Sequence, residues 1–368
     1  MTTKMTIDLS SLRQSYVVQV GSGLLSRSEA WLPKRANKIV IITDSPVKKL
    51  YGLSLASQIT KNGRDVLLLS VPAGERSKTN AHYLRLIKRM VAAGCSRDSL
   101  ILALGGGVVG DLAGFIAATY MRGLSYIQIP TTLLAMVDSS IGGKTAIDIP
   151  QGKNLVGAFW HPRAVIADGD CLKSLSQKQW INGLIEVVKI FLVKEAAKFY
   201  WLDENLEFVL ARQNEVVQRL LCEAIQAKAE VVQADEQEQG LRMILNFGHT
   251  LGHGLEVVSH YQLLHGYAVA YGILIEAKIS QLLGHLDAQK YEIISNFFRR
   301  LGIEASQLKK INVEKIIAAT VVDKKARQGC VHYVILRDIG QVAQSQTLFT
   351  QSVPEEIIRR AYKECVEG

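Results

Sequence analysis

Ser99 to Met121 reads SLILALGGGVVGDLAGFIAATYM, and the way this run divides decides the fold. Asp111 is its only charge, so the run could pass for a membrane span. Asp111 sits near its middle, however, and five glycines interrupt it. A buried strand over Leu100–Leu104, a glycine loop and a buried helix over Val108–Met121 account for it better.

The flanking segments repeat the pattern. Tyr16–Val20 reads as a strand. Lys38–Thr43 (KIVIIT) is short, β-branched and almost wholly apolar, as expected of a strand covered on both faces. A helix follows over Pro46–Lys61, closed by Asn62 and Gly63, then a strand over Val66–Val71. Ser77–Ala93 is amphipathic, with Tyr83, Leu84, Ile87 and Val91 on one stripe. Tyr126–Ile129 is the last clear strand. Strands alternating with helices predict an α/β N-terminal domain with a Rossmann-like, largely parallel sheet. After about Ser174 helical patterns dominate: Gln177–Val193, Asn214–Gln233, Asn246–Val258, Gly266–Leu283, Tyr291–Arg300 and Val313–Val322. A hairpin is expected from Val331–Leu336 to Gln341–Gln344. A last helix should begin near Pro354, with Ser352 and Glu355 as a capping box. A chain of 368 residues suits two cores. We therefore expect an α/β domain over residues 1–175 and a mainly α-helical domain over 176–368, with the active site in the cleft such a layout creates.

Composition narrows the function. Five scattered cysteines form no disulfide or metal spacing, and the first residues lack the apolar core of a signal peptide, which together favour a reducing, cytoplasmic setting without a membrane. The formal charge of +9 favours an anionic partner. No basic tract or basic stripe with interleaved aromatics appears, which argues against nucleic acid and for a small phosphorylated or carboxylated ligand.

Gly105, Gly107 and Gly110 match G-x-G-x-x-G between a strand and a helix. Residues without side chains let backbone N–H groups approach a pyrophosphate at the positive helix end. Close helix–sheet packing is the alternative. Asp44, ending an earlier strand, could accept from a ribose diol or cap the next helix.

The helical half opens its own site in Asn246-Phe-Gly-His249-Thr-Leu-Gly-His253, followed after eleven intervening residues by His265. His249 and His253 share a helix face, with Cβ atoms about 6 Å apart, and His265 could fold back onto it. Imidazoles converging in this way suit a divalent metal if a carboxylate joins them. Ordinary bonds to neighbours are the alternative. Glu186 and Lys189 lie among aliphatics, where a bare carboxylate is too costly. A metal held by His249 and His265, or an internal Glu186–Lys189 pair, would relieve it. Lys228 falls on the apolar stripe Val217, Leu221, Ala224, Val231, so it either snorkels out or faces an anion. Asp138 to Thr145 and Gly152 to Asn154 form a second glycine- and lysine-rich region; Gly142-Gly143-Lys144-Thr145 fails the spacing of a phosphate-binding P-loop. Arg242 precedes Asn246 by four, and Lys324 and Lys325 follow Asp323 at a helix end. A dinucleotide loop, a metal site and a multi-cationic pocket suit hydride transfer to or from an alcohol. A bound metal can lower the pKa of water from roughly 15.7 to about 7, and a coordinated alcohol should follow. The residues alone reach a metal- and NAD-dependent enzyme acting on a phosphorylated polyol.

The same stretches resemble the 3-dehydroquinate synthases, members of the sugar phosphate cyclases. The resemblance runs from about Tyr16 to Gln344. It is carried by GGGVVGDLAGFIAATYMRG (Gly105–Gly123), PTTLLAMVDSSIGGKTAID (Pro130–Asp148), GKNLVGAFWHP (Gly152–Pro162), LNFGHTLGH (Leu245–His253), LHG (Leu264–Gly266) and DKK (Asp323–Lys325). The resemblance implies zinc or cobalt on Glu186, His249 and His265. It implies NAD at Asp44, Glu75, Lys78, Gly106, Gly107, Asp111, Thr131, Thr132, Lys144, Lys153 and Ser174. It places Arg122, Asp138, Lys144, Asn154, Lys189, Lys228, Arg242, Asn246, His253, Lys324 and Lys325 around the substrate. In that family 3-deoxy-D-arabino-heptulosonate 7-phosphate is oxidised at C5 by NAD, loses phosphate, is reduced again and recloses by an aldol step to 3-dehydroquinate. A homodimer is implied as well. Ile185, Ile190 and Ser174-Leu-Ser176 depart from the usual pattern in ways that touch fine tuning. A metal-dependent polyol dehydrogenase and another sugar phosphate cyclase are the competing enzymes. A nucleotide-sensing scaffold with a structural zinc is the competing non-enzyme, although such a zinc usually has four protein ligands.

Overall fold

A computed structural model of the chain describes residues 2–9, 14–34, 36, 38–324, 331–344 and 348–367, with the backbone alone for Gln14, Val322, Asp323 and Lys324. Two compact units are present, Met1–Ser176 with Asn214–Ala229, and Gln177–Gln213 with Glu230–Gly368.

The first unit is built on β1 (Thr3–Leu9), β2 (Gln14–Gly21), β3 (Lys38–Asp44), β4 (Asp65–Val71), β5 (Leu100–Gly105), β6 (Ser125–Pro130), β7 (Lys144–Ile149), β8 (Gly152–Phe159) and β9 (Ala164–Asp168). Its helices are α1 (Ser45–Val47), α2 (Leu53–Lys61), α3 (Asn80–Ala92) and α4 (Gly107–Thr119), with a π turn over Lys48–Gly52 joining α1 to α2. Seven strands form one sheet in the order β1-β2-β9-β6-β5-β3-β4. Only the β1–β2 pair is antiparallel. The apolar run of β3 is explained by its two covered faces. Val40 and Ile42 pack with Leu112, Ile116 and Met90 on one side, while Ile39 and Ile41 pack with Leu55, Ile59 and Trp31 on the other.

Three sequence expectations change here. The buried stripe of α3 is shifted, with Leu86 and Met90 inside while Leu84 and Val91 are exposed. The lysine- and glycine-rich region after β6 is a β7–β8 hairpin, which β9 then follows into the main sheet. β1, with no counterpart in the sequence reading, extends the sheet by one antiparallel strand.

The second unit contains α5 (Gln177–Lys194), α6 (Ala196–Glu204), α7 (Leu206–Leu210), the end of α8 (Asn214–Ala234), α9 (His249–Val258), α10 (His265–Leu282), α11 (Ala288–Arg300), α12 (Val313–Lys324) and α13 (Glu355–Glu367). The short strands β10 (His332–Tyr333), β11 (Leu336–Asp338), β12 (Gln341–Val342) and β13 (Gln351–Ser352) complete it. The expected late hairpin is shorter and split: β11 pairs with β12, and β10 pairs with β13. Ser352, expected as a helix cap, pairs instead with His332. The helix expected from Asn246 begins at His249. Leu241–Asn246 forms a 3-10 turn, and Gly248 at φ 77° breaks the path. α9 and α10 approach closely through small residues. A Cβ on Gly272 would lie 1.9 Å from the Gly248 carbonyl oxygen, and one on Gly252 would lie 3.1 Å from that of Ala268.

Candidate functional site

In the first unit β9, β6, β5, β3 and β4 run parallel, so their carboxyl ends share one edge. The chain leaves β3 for β4 on one side and returns to place β5 on the other. Such a switch point is where open α/β sheets receive ligands. Asp44 ends β3, the glycine loop ends β5, and Thr131 and Thr132 follow β6. Gly105 and Gly110 serve packing, since Cβ atoms there would meet Val109 and Gln128 at 2.7 Å. Gly106 is the N-cap of α4 and Gly107 its first residue, where the backbone N–H groups lack acceptors within the helix. Close packing thus accounts for Gly105 and Gly110, and a Cβ on Gly107 would also come within 3.0 Å of Ser139 Oγ. Thr131 Oγ1 is buried without a hydrogen-bond partner among the described residues.

Several charged groups of this unit are tied down. Asp44 accepts from Val47 N at 2.9 Å, which is the capping role, and burial raises its carboxyl above the usual range. Lys78, 3 % exposed, lies 2.5 Å from Asp111 Oδ2 and 3.9 Å from Glu75 Oε1, and donates to Asn154 Oδ1. Burial opposes its charge, but Asp111 and Glu75 outweigh that and raise it. Asn154 holds φ 56°, and its N–H donates to Asp148 Oδ1 at 2.9 Å. Lys228 is buried and does not snorkel out. Its ammonium donates to the Asp138 main-chain oxygen at 2.7 Å and to the Asp138 carboxylate. Ser174 Oγ accepts from Tyr51 Oη at 2.7 Å and donates to Cys171 O at 3.0 Å. Arg122 and Lys144 are exposed, and Lys153 is half-buried.

The second unit brings Glu186, His249 and His265 together. One donor atom from each falls within 4.8 Å of the others. His265 Nε2 lies 3.4 Å and His249 Nε2 3.7 Å from Glu186 Oε1. Donors held at about 2.0–2.2 Å on a tetrahedral zinc stand at comparable separations, so the set fits a divalent cation. Glu186 is 2 % exposed, and neither of its oxygens has a hydrogen bond among the described residues. Lys189 Nζ is nevertheless 2.5 Å from Oε2, so the internal ion pair coexists with the histidine cluster. Burial would raise the Glu186 carboxyl, but Lys189, His249 and His265 hold it well below the usual range. Burial and then Lys189 hold the His249 imidazole low. Burial opposes protonation of His265, yet Glu186 and Glu256 push it up to about 10. The His253 ring centroid lies 5.4 Å from that of His249 and 6.1 Å from that of His265.

Several supporting residues escaped the sequence reading. Glu256 Oε1 lies 2.8 Å from His265 Nδ1. Glu276, fully buried on α10, accepts from Gly248 N at 2.7 Å and so anchors the start of α9. Asn182 Oδ1 accepts from Gly266 N at 2.8 Å, at the start of α10. Asp235 accepts from the N–H groups of Gln239, Gly240 and Arg242. Arg242, 3 % exposed, donates to Glu236 O, and Asn246 Nδ2 donates to Glu238 Oε1 at 2.8 Å. Acidic residues inside apolar helix faces were the available signal for Glu256 and Glu276; for Asp235 and Glu238 there was none. Lys324 ends α12, and Lys325 lies outside the described residues.

Comparisons with known proteins agree in direction. Family models described as "3-dehydroquinate synthase N-terminal" and "3-dehydroquinate synthase C-terminal" match residues 68–182 and 183–326. A 3-dehydroquinate synthase of Caldanaerobacter subterraneus subsp. tengcongensis is 43% identical over 309 residues, 84% of this chain and 86% of its own. A 2-deoxy-scyllo-inosose synthase solved with carbaglucose-6-phosphate, NAD+ and Co2+ superposes with a TM-score of 0.91 at 26% identity, covering 99% of this chain and 100% of its own. A 2-epi-5-epi-valiolone synthase from Streptomyces hygroscopicus, with NAD+ and Zn2+ bound, gives 0.87 at 28% identity over 96% of this chain and 97% of its own. Among the described residues no helix is long and apolar enough to cross a membrane.

Proposed function

We propose that this chain, which belongs to the 3-dehydroquinate synthase family, converts 3-deoxy-D-arabino-heptulosonate 7-phosphate to 3-dehydroquinate and phosphate. It is then a carbon–oxygen lyase of the shikimate pathway, in aromatic amino acid and chorismate biosynthesis. The observation that carries the reading is the convergence of Glu186, His249 and His265 on one point.

When bound, NAD takes up and returns a hydride while a divalent cation makes the substrate hydroxyl easier to deprotonate. Glu186 through Oε1, with His249 and His265 through Nε2, would hold the cation. Three protein ligands is the count of a catalytic site, whereas a structural site is closed by four. In the first unit the N–H groups at Gly106 and Gly107 would receive the dinucleotide phosphates. Asp44, Glu75, Lys78, Asp111, Thr131, Thr132, Lys144, Lys153 and Ser174 would complete the NAD site. Lys228 is fixed by Asp138 and would present its charge to an anionic group of the substrate. Arg122, Lys144, Lys189, Arg242, Lys324 and Lys325 would share that work, and Asn154 and Asn246 would offer the substrate neutral amide hydrogen bonds. His253 would hold a proton near the reacting carbons, and the substrate phosphate would act as the base for its own elimination.

The basic composition and the Co2+- or Zn2+- and NAD+-bearing neighbours support this reading over one with a neutral substrate. A homodimer in the cytoplasm, acting on a small anionic ligand and no nucleic acid, completes the proposal. The test is to identify the ring product by mass spectrometry after incubation with the heptulosonate phosphate, NAD and zinc. 3-Dehydroquinate should form and should vanish on chelation. A different ring product, or 3-dehydroquinate formed equally well with chelator, would overturn the reading.

A further inference from the structure

Glu256 lies on α9 seven residues beyond His249, and its side chain is almost fully buried. Its Oε1 is 2.8 Å from His265 Nδ1, while Nε2 of the same ring faces Glu186. A carboxylate at Nδ1 keeps the N–H there and leaves the Nε2 lone pair for an ion. The main chain of Glu256 also holds the turn leading to His265. Its carbonyl accepts from Tyr261 N at 2.8 Å and from Ser259 Oγ at 3.0 Å. In that turn His260 and Tyr261 adopt φ of 52° and 57°, a region that residues other than glycine seldom occupy. Two strained residues in succession persist only where the surroundings determine them, and such strain gathers at functional sites.

We infer that Glu256 is a positioning residue of the metal centre, its carboxylate fixing His265 in the tautomer and orientation that present Nε2 to a divalent cation. The inference rests on the reading of Glu186, His249 and His265 as ligands. Glu256 is not a ligand itself, because it meets the opposite nitrogen of the ring. Its main-chain and side-chain roles are separable: substitution at Glu256 removes the carboxylate and keeps the carbonyl, whereas Ser259→Ala loosens the turn and keeps the carboxylate.

The test is zinc affinity of the full chain, measured by competition with a chromophoric chelator, together with the visible spectrum of the cobalt-substituted protein. Glu256→Leu should weaken zinc binding by about 10- to 100-fold and alter the cobalt spectrum. Glu256→Gln, whose amide oxygen can still accept from Nδ1, should recover part of the affinity, and Ser259→Ala should match the parent. Parent-like affinity in Glu256→Leu, or an equal loss in Ser259→Ala, would overturn the inference. The His265→Ala control separates the two levels. If it loses zinc while Glu256→Leu does not, only the positioning role falls. If it keeps zinc, the ligand set falls and the positioning role with it.

Discussion

Lys189 Nζ lies 2.5 Å from Glu186 Oε2, one turn further along α5, with both side chains almost fully buried. The ammonium is a built-in counter-charge for the carboxylate that the proposed cation would share. Removing one partner of a buried pair costs about 3–5 kcal/mol. Lys189→Met should therefore destabilise the metal-free protein by that order, and zinc should restore more stability to the variant than to the parent. Urea denaturation with and without chelator measures both gaps. An equal zinc effect in the two proteins would contradict the account.

The α9–α10 contact sets where His249 and His265 stand. Gly272→Ala would place a Cβ 1.9 Å from the Gly248 carbonyl oxygen, in backbone that no side-chain rotation can relieve. Overpacking of this kind costs about 1–3 kcal/mol. Both helices begin with a proposed ligand, so zinc affinity should fall together with the melting temperature. A variant that melts lower yet binds zinc like the parent would show that this contact does not control the ligands.

Lys228 and Asp138 are ninety positions apart in sequence and bonded in the fold. A hydrogen bond to a charged group is worth about 1.5–3 kcal/mol, roughly a ten- to hundredfold effect. Lys228→Ala should raise KM for the heptulosonate phosphate by that factor and change NAD affinity little. Steady-state kinetics paired with NAD titration distinguishes the two, and equal losses would refute the assigned place of Lys228.

Asp235 supplies a pH dependence. Burial raises its carboxyl, but the N–H groups of Gln239, Gly240 and Arg242 outweigh that and hold it below its ordinary value. A depressed folded value means that the stabilisation is present above the unfolded value and is lost as pH falls through the folded one. Asp235→Asn should be less stable than the parent near neutrality, with the difference shrinking below about pH 3.9. Denaturation midpoints across that range test the sign; a difference that grows on acidification would be the wrong sign.

Much of this was legible because burial leaves a mark on composition. The run KIVIIT announces a strand covered on both faces, and Ile39/Ile41 and Val40/Ile42 do divide between two cores. α3 shows the limit of such patterns. Tyr83 and Ile87 fit two neighbouring stripes, and the packing of Leu86 and Met90 against the sheet, rather than the count of apolar residues, selects between them. β7 and β8 mix Gly, Lys and Asn with apolar residues, so the partner strand and not propensity makes them a hairpin. At the candidate site, helical spacing pairs His249 with His253. The fold adds His265 and Glu186, sixty-three positions before His249, which the buried carboxylate and the family motifs had pointed to and helical spacing had not. Neither that grouping nor the Glu256 contact is encoded in local spacing, because each joins residues of different helices, α5, α9 and α10.

The most direct test of the central claim is a balance of products. The chain is incubated with the heptulosonate phosphate, zinc and NAD far below the substrate concentration, and inorganic phosphate and NADH absorbance are followed together. Phosphate should rise to match the substrate consumed with no net NADH, because the cofactor is regenerated at each turnover. NADH accumulating up to the NAD supplied, without phosphate release, would mark a dehydrogenase and contradict the account.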